Sequence, residues 1–104
     1  MGRMKPHRPH VRATELKIHH DPARSCFECD VDGLRCVIDY RLIDGVMHID
    51  HTEVPPALEG RGIAAALVRF ALAYSREHGL KVNPLCSYVR VYMQRHADTH
   101  DLRA

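Results

Sequence analysis

The most distinctive feature of the chain is a pair of glycines, Gly60 and Gly62, which follow two prolines and precede a run of small and apolar residues. Glycine adopts positive φ angles that other residues avoid, and proline ends strands, so residues 54–74 are predicted to form a strand end, a loop and a helix. A helix that begins at such a loop presents backbone N–H groups without intrahelical partners, at the positive end of the helix dipole. These groups bind anions, most often phosphates. The alternative is a turn in which the glycines only relieve steric crowding.

Two neighbouring features favour a bound diphosphate. Arg61 adds positive charge between the glycines, and the alanines at positions 64–66 are small enough for a ligand to approach the backbone. The spacing excludes two familiar nucleotide-binding loops. A P-loop requires Gly-Lys-Ser/Thr, which does not follow here. A dinucleotide-binding fold requires a third glycine, a following strand and an acidic residue, and these are also absent.

Around this loop the sequence resembles a known family. Residues 59–64, Glu-Gly-Arg-Gly-Ile-Ala, are similar to the Gln/Arg-x-x-Gly-x-Gly/Ala loop that binds the acetyl-CoA pyrophosphate in the GNAT superfamily of N-acetyltransferases. Residues 51–67 and 81–96 resemble the short, stand-alone YjdJ-type branch of that superfamily. The resemblance extends over roughly residues 15–102, nearly the whole chain.

The resemblance implies that acetyl-CoA is the cofactor. It assigns cofactor binding to Val54, Glu59, Gly60, Arg61, Gly62, Ile63 and Ala64. Glu59 departs from the pattern, since most members have Gln or Arg at this position. An acid cannot add attraction for a diphosphate, so the backbone amides and Arg61 would have to bind it.

Cys86 is the first candidate for a catalytic role. It lies immediately before Ser87, the predicted N-cap of a last helix, and a helix N-terminus lowers the pKa of a nearby thiol. The thiolate could accept an acyl group, or the side chain could simply lie beside the cofactor. Because the superfamily typically transfers acetyl directly from CoA to an amine, the second role is favoured. A small buried residue without a chemical role is the other interpretation.

Three further side chains could move protons. His51 and Glu53 lie at the end of the strand that enters the loop, and an amine that attacks a thioester must lose a proton to a base such as these. Tyr88 is a candidate to protonate the departing CoA thiolate, and Tyr92 is better explained by core packing. Solvated surface positions are the alternative interpretation for His51 and Glu53.

Turn signals and hydrophobic periodicity predict the elements that position these residues. Strands are expected at residues 15–20, 25–31, 34–43 and 46–54, separated by Asp21-Pro22 and by two Asp-Gly pairs typical of hairpins. The central helix should end near His78, with Gly79 as a left-handed stop, and should be covered on most sides because apolar residues surround it. A strand at 81–85, parallel to 46–54, and a last helix complete the chain. The predicted fold is α+β (α/β), a minimal single-domain GNAT-like fold: an antiparallel meander, then a strand-loop-helix-strand unit and a C-terminal helix.

Length and charge limit the remaining possibilities. The 104 residues suffice for one domain, predicted at 13–104 after a basic, disordered arm at 1–12. Neither the net charge of +2 nor the arm favours nucleic-acid binding. Because no signal peptide or long apolar run is seen, we expect a cytoplasmic protein without membrane contact. The sequence leaves open whether it is a monomer or a weak dimer.

The four cysteines and nine histidines do not predict a metal site. Cys26 and Cys29 have the spacing of metal ligands, but side chains three apart in a strand point to opposite faces. The histidines are scattered and lack partners at useful spacing. We therefore expect reduced cysteines and no metal.

Two functions remain. The first is an acetyl-CoA-dependent N-acetyltransferase that acetylates a protein or small-molecule amine, such as a polyamine, by direct attack in a ternary complex. The second is a CoA-binding or protein-interaction module of the same fold without turnover. The two differ in whether a base or nucleophile (His51, Glu53 or Cys86) points into the cofactor cleft.

Overall fold

A five-stranded sheet with strands in chain order carries the two helices. The computed structural model describes residues 16–104. Its strands are β1 His19–Asp21, β2 Cys26–Val31, β3 Leu34–Ile43, β4 Val46–Glu53 and β5 Lys81–Pro84, and its helices are α1 Ile63–Glu77 and α2 Ser87–Arg95. Short 3-10 helices, Pro56–Leu58 and Ala97–Leu102, precede α1 and follow α2. The predicted mixed α+β architecture is confirmed, and the predicted arm at 1–12 lies outside the described residues.

Strands β1 to β4 form the predicted antiparallel meander. Each of the two Asp-Gly turns places both residues at positive φ: Asp32 at 52° and Gly33 at 75°, and Asp44 at 48° and Gly45 at 76°. Two-residue turns of this hand match the twist of the strands they join. Both hairpins are therefore determined by local turn chemistry.

The start of the sheet differs from the prediction. Strand β1 begins at His19 instead of residue 15, with position 15 itself outside the described residues, and it includes Asp21, which pairs with Cys26. Ser25 has a φ of 52°, so it belongs to the preceding turn and β2 begins one residue later than predicted. The turn is thus longer than Asp21-Pro22 alone suggested.

Helix α1 lies against one face of the sheet. Its buried residues include Ile63, Leu67, Val68 and Ala71, which join the core with the inward side chains of β2, β3 and β4. The exposed positions form a single stripe: Arg69, Phe70, Ala73, Arg76 and Glu77. As predicted, the helix ends at Glu77 and Gly79 follows at a φ of 65°. Neither helix in the region 16–104 has the length and apolarity needed to cross a bilayer.

Strand β5 pairs in parallel with the first half of β4 only, as the strand-helix-strand order predicts. The paired residues end at Ile49 and Pro84. Proline has no N–H to donate, and the next two N–H groups, of Leu85 and Cys86, both donate to the carbonyl of Ile49 at 3.0 and 2.9 Å. Beyond this point β4 continues to Glu53 without β5. A gap therefore opens between the two strands.

Helix α2 begins one residue earlier than predicted. Cys86, and not Ser87, is the N-cap: its carbonyl accepts the N–H of Arg90 at 3.0 Å, and Ser87 is already helical. No side chain caps this end. The predicted serine cap is wrong because the extended backbone, with a ψ of 130°, ends at Cys86, whose own N–H is bound to β4.

Candidate functional site

The glycine loop has the conformation that the sequence predicts. Gly60 and Gly62 have φ angles of 80° and 78°, a region that residues with side chains rarely adopt. Gly62 is the N-cap of α1, and its carbonyl accepts the N–H of Ala66 at 3.1 Å. The N–H groups that precede Ala66 in the loop and the first turn have no acceptor within the helix, and no acid occupies the first turn. This helix end can receive an anion.

A cleft of about 480 Å³ lies directly against this loop. It is lined by Thr52, Val54, Leu58, Glu59, Gly60, Gly62, Ile63, Ala64 and Tyr88. The lining thus contains every predicted cofactor residue except Arg61. Cofactor binding by these residues stays a prediction, but the structure does bring them together around one cavity of a size that accommodates a small organic ligand.

Arg61 lies elsewhere than expected. Its Nη1 donates to Oδ2 of Asp32 at 2.8 Å, across to the turn between β2 and β3. The arginine side chain is 16% exposed. Arg61 thus contacts a carboxylate of its own chain, and it does not line the cleft. Positive potential in the cleft comes from the backbone N–H groups and the dipole of α1.

A β-bulge determines which side chains of β4 face the cleft. Asp39 of β3 pairs with His51, but the next residue, Tyr40, pairs with Ile49, so Asp50 is an extra residue on β4. A bulge of this kind interrupts the alternation of side chains along a strand. After it, Thr52 lies opposite the core residue Ile38 and faces the cleft.

His51 and Glu53 therefore project from the face of the sheet away from α1. Their side chains are 55% and 65% exposed, and Nε2 of His51 lies 3.4 Å from Oε2 of Glu53. Neither lines the cleft. The structure places this pair together, but on the other side of β4 from the cavity.

Cys86 lies beside the cleft without lining it. Its half-buried thiol donates to Oγ1 of Thr52 at 3.6 Å, while its N–H is bound to Ile49. The side chain is thus held between the N-terminus of α2 and β4, at the point where the strands separate. Thr52, which lines the cleft, is the residue that this thiol contacts.

Tyr88 is the candidate catalytic residue that does line the cleft. It lies in the first turn of α2 and is 42% exposed. Burial raises the pKa of its phenol, and the neighbouring Tyr92 adds to the shift, while Arg69 opposes it. A higher pKa keeps the hydroxyl protonated at neutral pH. Tyr88 can therefore donate a proton into the cleft.

The sequence did not single out Thr52 or Leu58 as cleft residues. Thr52 reaches the cavity only because of the bulge at Asp50, for which the sequence has no clear signal. Leu58 is 1% exposed and lies in the 3-10 helix Pro56–Leu58. The two prolines at 55 and 56 indicated a break, but not a buried side chain beneath the loop.

The cysteines and histidines of residues 16–104 form no cluster of three side chains. In the part of the chain that the structure describes, no three His, Cys, Asp or Glu side chains are grouped as a metal ion would require. Cys29 belongs to the core facing α1, and Cys26 projects from the opposite face of β2. The divergence that their spacing predicted is confirmed.

Known proteins are similar to this chain in sequence and in fold. Residues 26–102 match the family model of the GCN5-related N-acetyl-transferases. The chain is 34% identical to Protein NATD1 of Mus musculus over 82 residues, which is 76% of this chain and 74% of the relative. Protein NATD1 of Homo sapiens is equally similar, with 73% of its length covered. The solution structure of a GCN5-like protein from Staphylococcus aureus superposes with a TM-score of 0.69 at 26% identity, over 86% of this chain and 88% of that one.

Proposed function

Because the chain belongs to the GCN5-related N-acetyl-transferase family, we propose that it binds acetyl-CoA in the cleft and transfers the acetyl group to an amine. The observation that carries the proposal is the glycine loop at the N-terminus of α1, which opens into the cavity beside the gap between β4 and β5. Loop, cavity and gap are contiguous. A ligand with a diphosphate at one end and a long arm at the other fits this arrangement.

The diphosphate is held mainly by backbone groups. The N–H groups from Gly60 to Ala64 supply donors, and the helix dipole supplies positive potential. Glu59 lines the same cavity and contributes no attraction to an anion. The binding therefore depends on loop conformation more than on side-chain charge.

The arm of the ligand extends toward the gap. Beyond Ile49, the edge of β4 that β5 leaves uncovered can receive an extended ligand, with Thr52 and Val54 facing it. In this proposal the thioester lies near Tyr88 and, because Thr52 contacts Cys86, near Cys86 as well. Holding the reactants in this geometry replaces a bimolecular encounter by a local reaction.

Transfer then requires one bond exchange and two proton movements. The amine nitrogen attacks the thioester carbonyl, the carbon–sulfur bond breaks, and the sulfur leaves as a thiolate. We propose that Tyr88, which lines the cleft, protonates that thiolate. The amine must also lose a proton. His51 and Glu53 can take this proton only if the amine substrate reaches the gap from the face of the sheet away from α1.

One observation favours a second function. Neither His51, Glu53 nor Cys86 lines the cleft, which leaves Tyr88 as its catalytic candidate. A module that binds CoA without turnover would have this arrangement. The two functions share the cofactor and differ in whether an amine is acetylated.

Thermal unfolding with CoA and acetyl-CoA tests the shared part. Ligand at a hundredfold excess over its Kd should stabilise the fold by about 2.7 kcal/mol. Pantetheine, which lacks the diphosphate, is the matched control and should stabilise less. An unchanged melting temperature at millimolar CoA would contradict both functions. Release of free CoA thiol with polyamines or peptides as acceptors then separates the enzyme from the binding module.

We also propose a class of acceptor and a compartment. An exposed amine on a protein or a polyamine is the proposed acceptor. All four cysteines are free thiols. We propose a reducing, cytoplasmic environment, which is where unpaired cysteines persist.

A further inference from the structure

We propose that Asp32, which lies far from the glycine loop in sequence, is a positioning residue for that loop and acts on it through Arg61. This inference rests on the proposed binding of a CoA diphosphate at Gly60–Ala64. It assigns Arg61 a different role from direct anion binding. It also gives the turn between β2 and β3 a part in the site.

The contact joins two segments that are 29 residues apart. Nη1 of Arg61 donates to Oδ2 of Asp32 at 2.8 Å, a length typical of a charge-assisted hydrogen bond. The arginine side chain is 16% exposed and the aspartate 57%. Nε of Arg61 is buried without a hydrogen-bond partner among the described residues. The half-buried guanidinium therefore depends strongly on the carboxylate of Asp32.

The loop needs such a restraint because packing provides little of it. Gly60 and Gly62 flank Arg61, both at positive φ, and glycine loses more conformational entropy on ordering than any other residue. A Cβ atom built on Gly60 would meet no heavy atom within 4 Å, so open space surrounds the loop there. Arg61 is the residue between the two glycines whose side chain reaches another element.

The other end of the contact is rigid. Asp32 occupies the first position of a two-residue turn, and Val31 and Leu34 close the ladder directly beside it. A hairpin paired along its length moves less than a loop with two glycines. The ion pair therefore restrains the loop relative to the sheet. A loop already held in its binding conformation loses less entropy when the ligand binds.

The fold contains a matched control for this inference. Asp44 occupies the same position in the second Asp-Gly turn, at the opposite end of β3, with a φ of 48° against 52° for Asp32. Asparagine adopts this left-handed conformation as readily as aspartate. Asp32→Asn and Asp44→Asn should thus affect their turns equally, and only Asp32→Asn weakens the contact with Arg61.

Two measurements on the full chain test the inference. The first is hydrogen exchange of the amides at residues 60–64 without ligand, and the second is the Kd for CoA. We expect Asp32→Asn to speed exchange and raise the Kd by about three- to tenfold, as for loss of a half-buried ion pair. Asp44→Asn should stay within about twofold of the unsubstituted chain. In a double-mutant cycle, the variant that carries both Asp32→Asn and Arg61→Gln should bind CoA no more weakly than the Arg61→Gln variant alone.

The outcomes separate the possible explanations. Equal exchange and equal Kd in the two asparagine variants would overturn the inference. A loss of affinity in Arg61→Gln without one in Asp32→Asn would also overturn it, because Arg61 would then act on the anion directly. If the unsubstituted chain binds no CoA, the proposed function fails. In that case faster exchange in Asp32→Asn alone still supports the restraint, and unchanged exchange contradicts it.

Discussion

The thiol of Cys86 donates a hydrogen bond to the hydroxyl of Thr52, with 3.6 Å between Sγ and Oγ1. The threonine lines the cleft and the cysteine does not. Two elements that are distant in sequence, the end of β4 and the start of α2, are joined by this contact at the mouth of the strand gap. The thiol of Cys86 is thus separated from the cleft by the side chain of Thr52.

Cys86→Ala should therefore keep substantial turnover and change the affinity for CoA only modestly. Direct transfer needs a bound thioester, an amine and a route for its proton, and none of these requires a second thiol. Incubation with acetyl-CoA alone should leave the mass of the unsubstituted chain unchanged. An acetyl adduct on Cys86 that an amine removes at the catalytic rate would instead establish a covalent intermediate.

Gly62→Val should abolish CoA binding. The φ of 78° at this position is unfavourable for a β-branched side chain, which would also crowd the diphosphate. Gly45→Val is the matched control, since Gly45 has a φ of 76° in a hairpin turn outside the cleft. Both variants should lower stability, and only the first should lose affinity when the folded fraction is measured by calorimetry. Retained affinity in folded Gly62→Val would place the anion elsewhere.

Tyr88→Phe should slow turnover by about 10²-fold or more while leaving the Kd for CoA nearly unchanged, because a general acid acts on the leaving group. The acid is active when protonated, and burial raises its pKa above the usual value near 10. Activity from this group should thus persist up to about pH 10 and fall only at higher pH. Tyr92→Phe is the control, since that ring stacks on His96 at 3.9 Å outside the cleft lining. Equal rates for both variants would rule out Tyr88 as the acid.

Thiol titration with an aromatic disulfide at pH 8 should show one fast cysteine in each folded chain. Cys26, Cys29 and Cys36 are at most 4% exposed, whereas Cys86 is half-buried. Burial, with a further contribution from neighbouring Cys36, raises the pKa of Cys29 to about 11, and burial also raises the pKa values of Cys26 and Cys36. Little thiolate exists at these three sites at pH 8. Cys86→Ala should remove the fast phase, and its persistence would show that a core strand opens readily.

Much of the fold could be predicted because it depends on neighbouring residues. The two Asp-Gly hairpins, the left-handed glycines of the loop and the stop at Gly79 follow from the φ angles that each residue type allows. The period of apolar residues predicted the strands and the covered helix to within a few residues, apart from the late start of β1. The lining of the cleft by residues 59–60 and 62–64 follows from the same local geometry.

Only the tertiary structure decided the contacts between segments that are distant in sequence. The bulge at Asp50 arises from the pairing of β3 with β4, and it places Thr52 in the cleft and His51 and Glu53 on the opposite face. The N–H of Cys86 donates to the carbonyl of Ile49, and the side chain of Arg61 contacts Asp32 and does not line the cleft. Local φ preferences and apolar periods contain no information on which strand register or ion pair has the lowest free energy. That choice depends on the packing of the whole sheet, and it determined which of the candidate residues face the cleft.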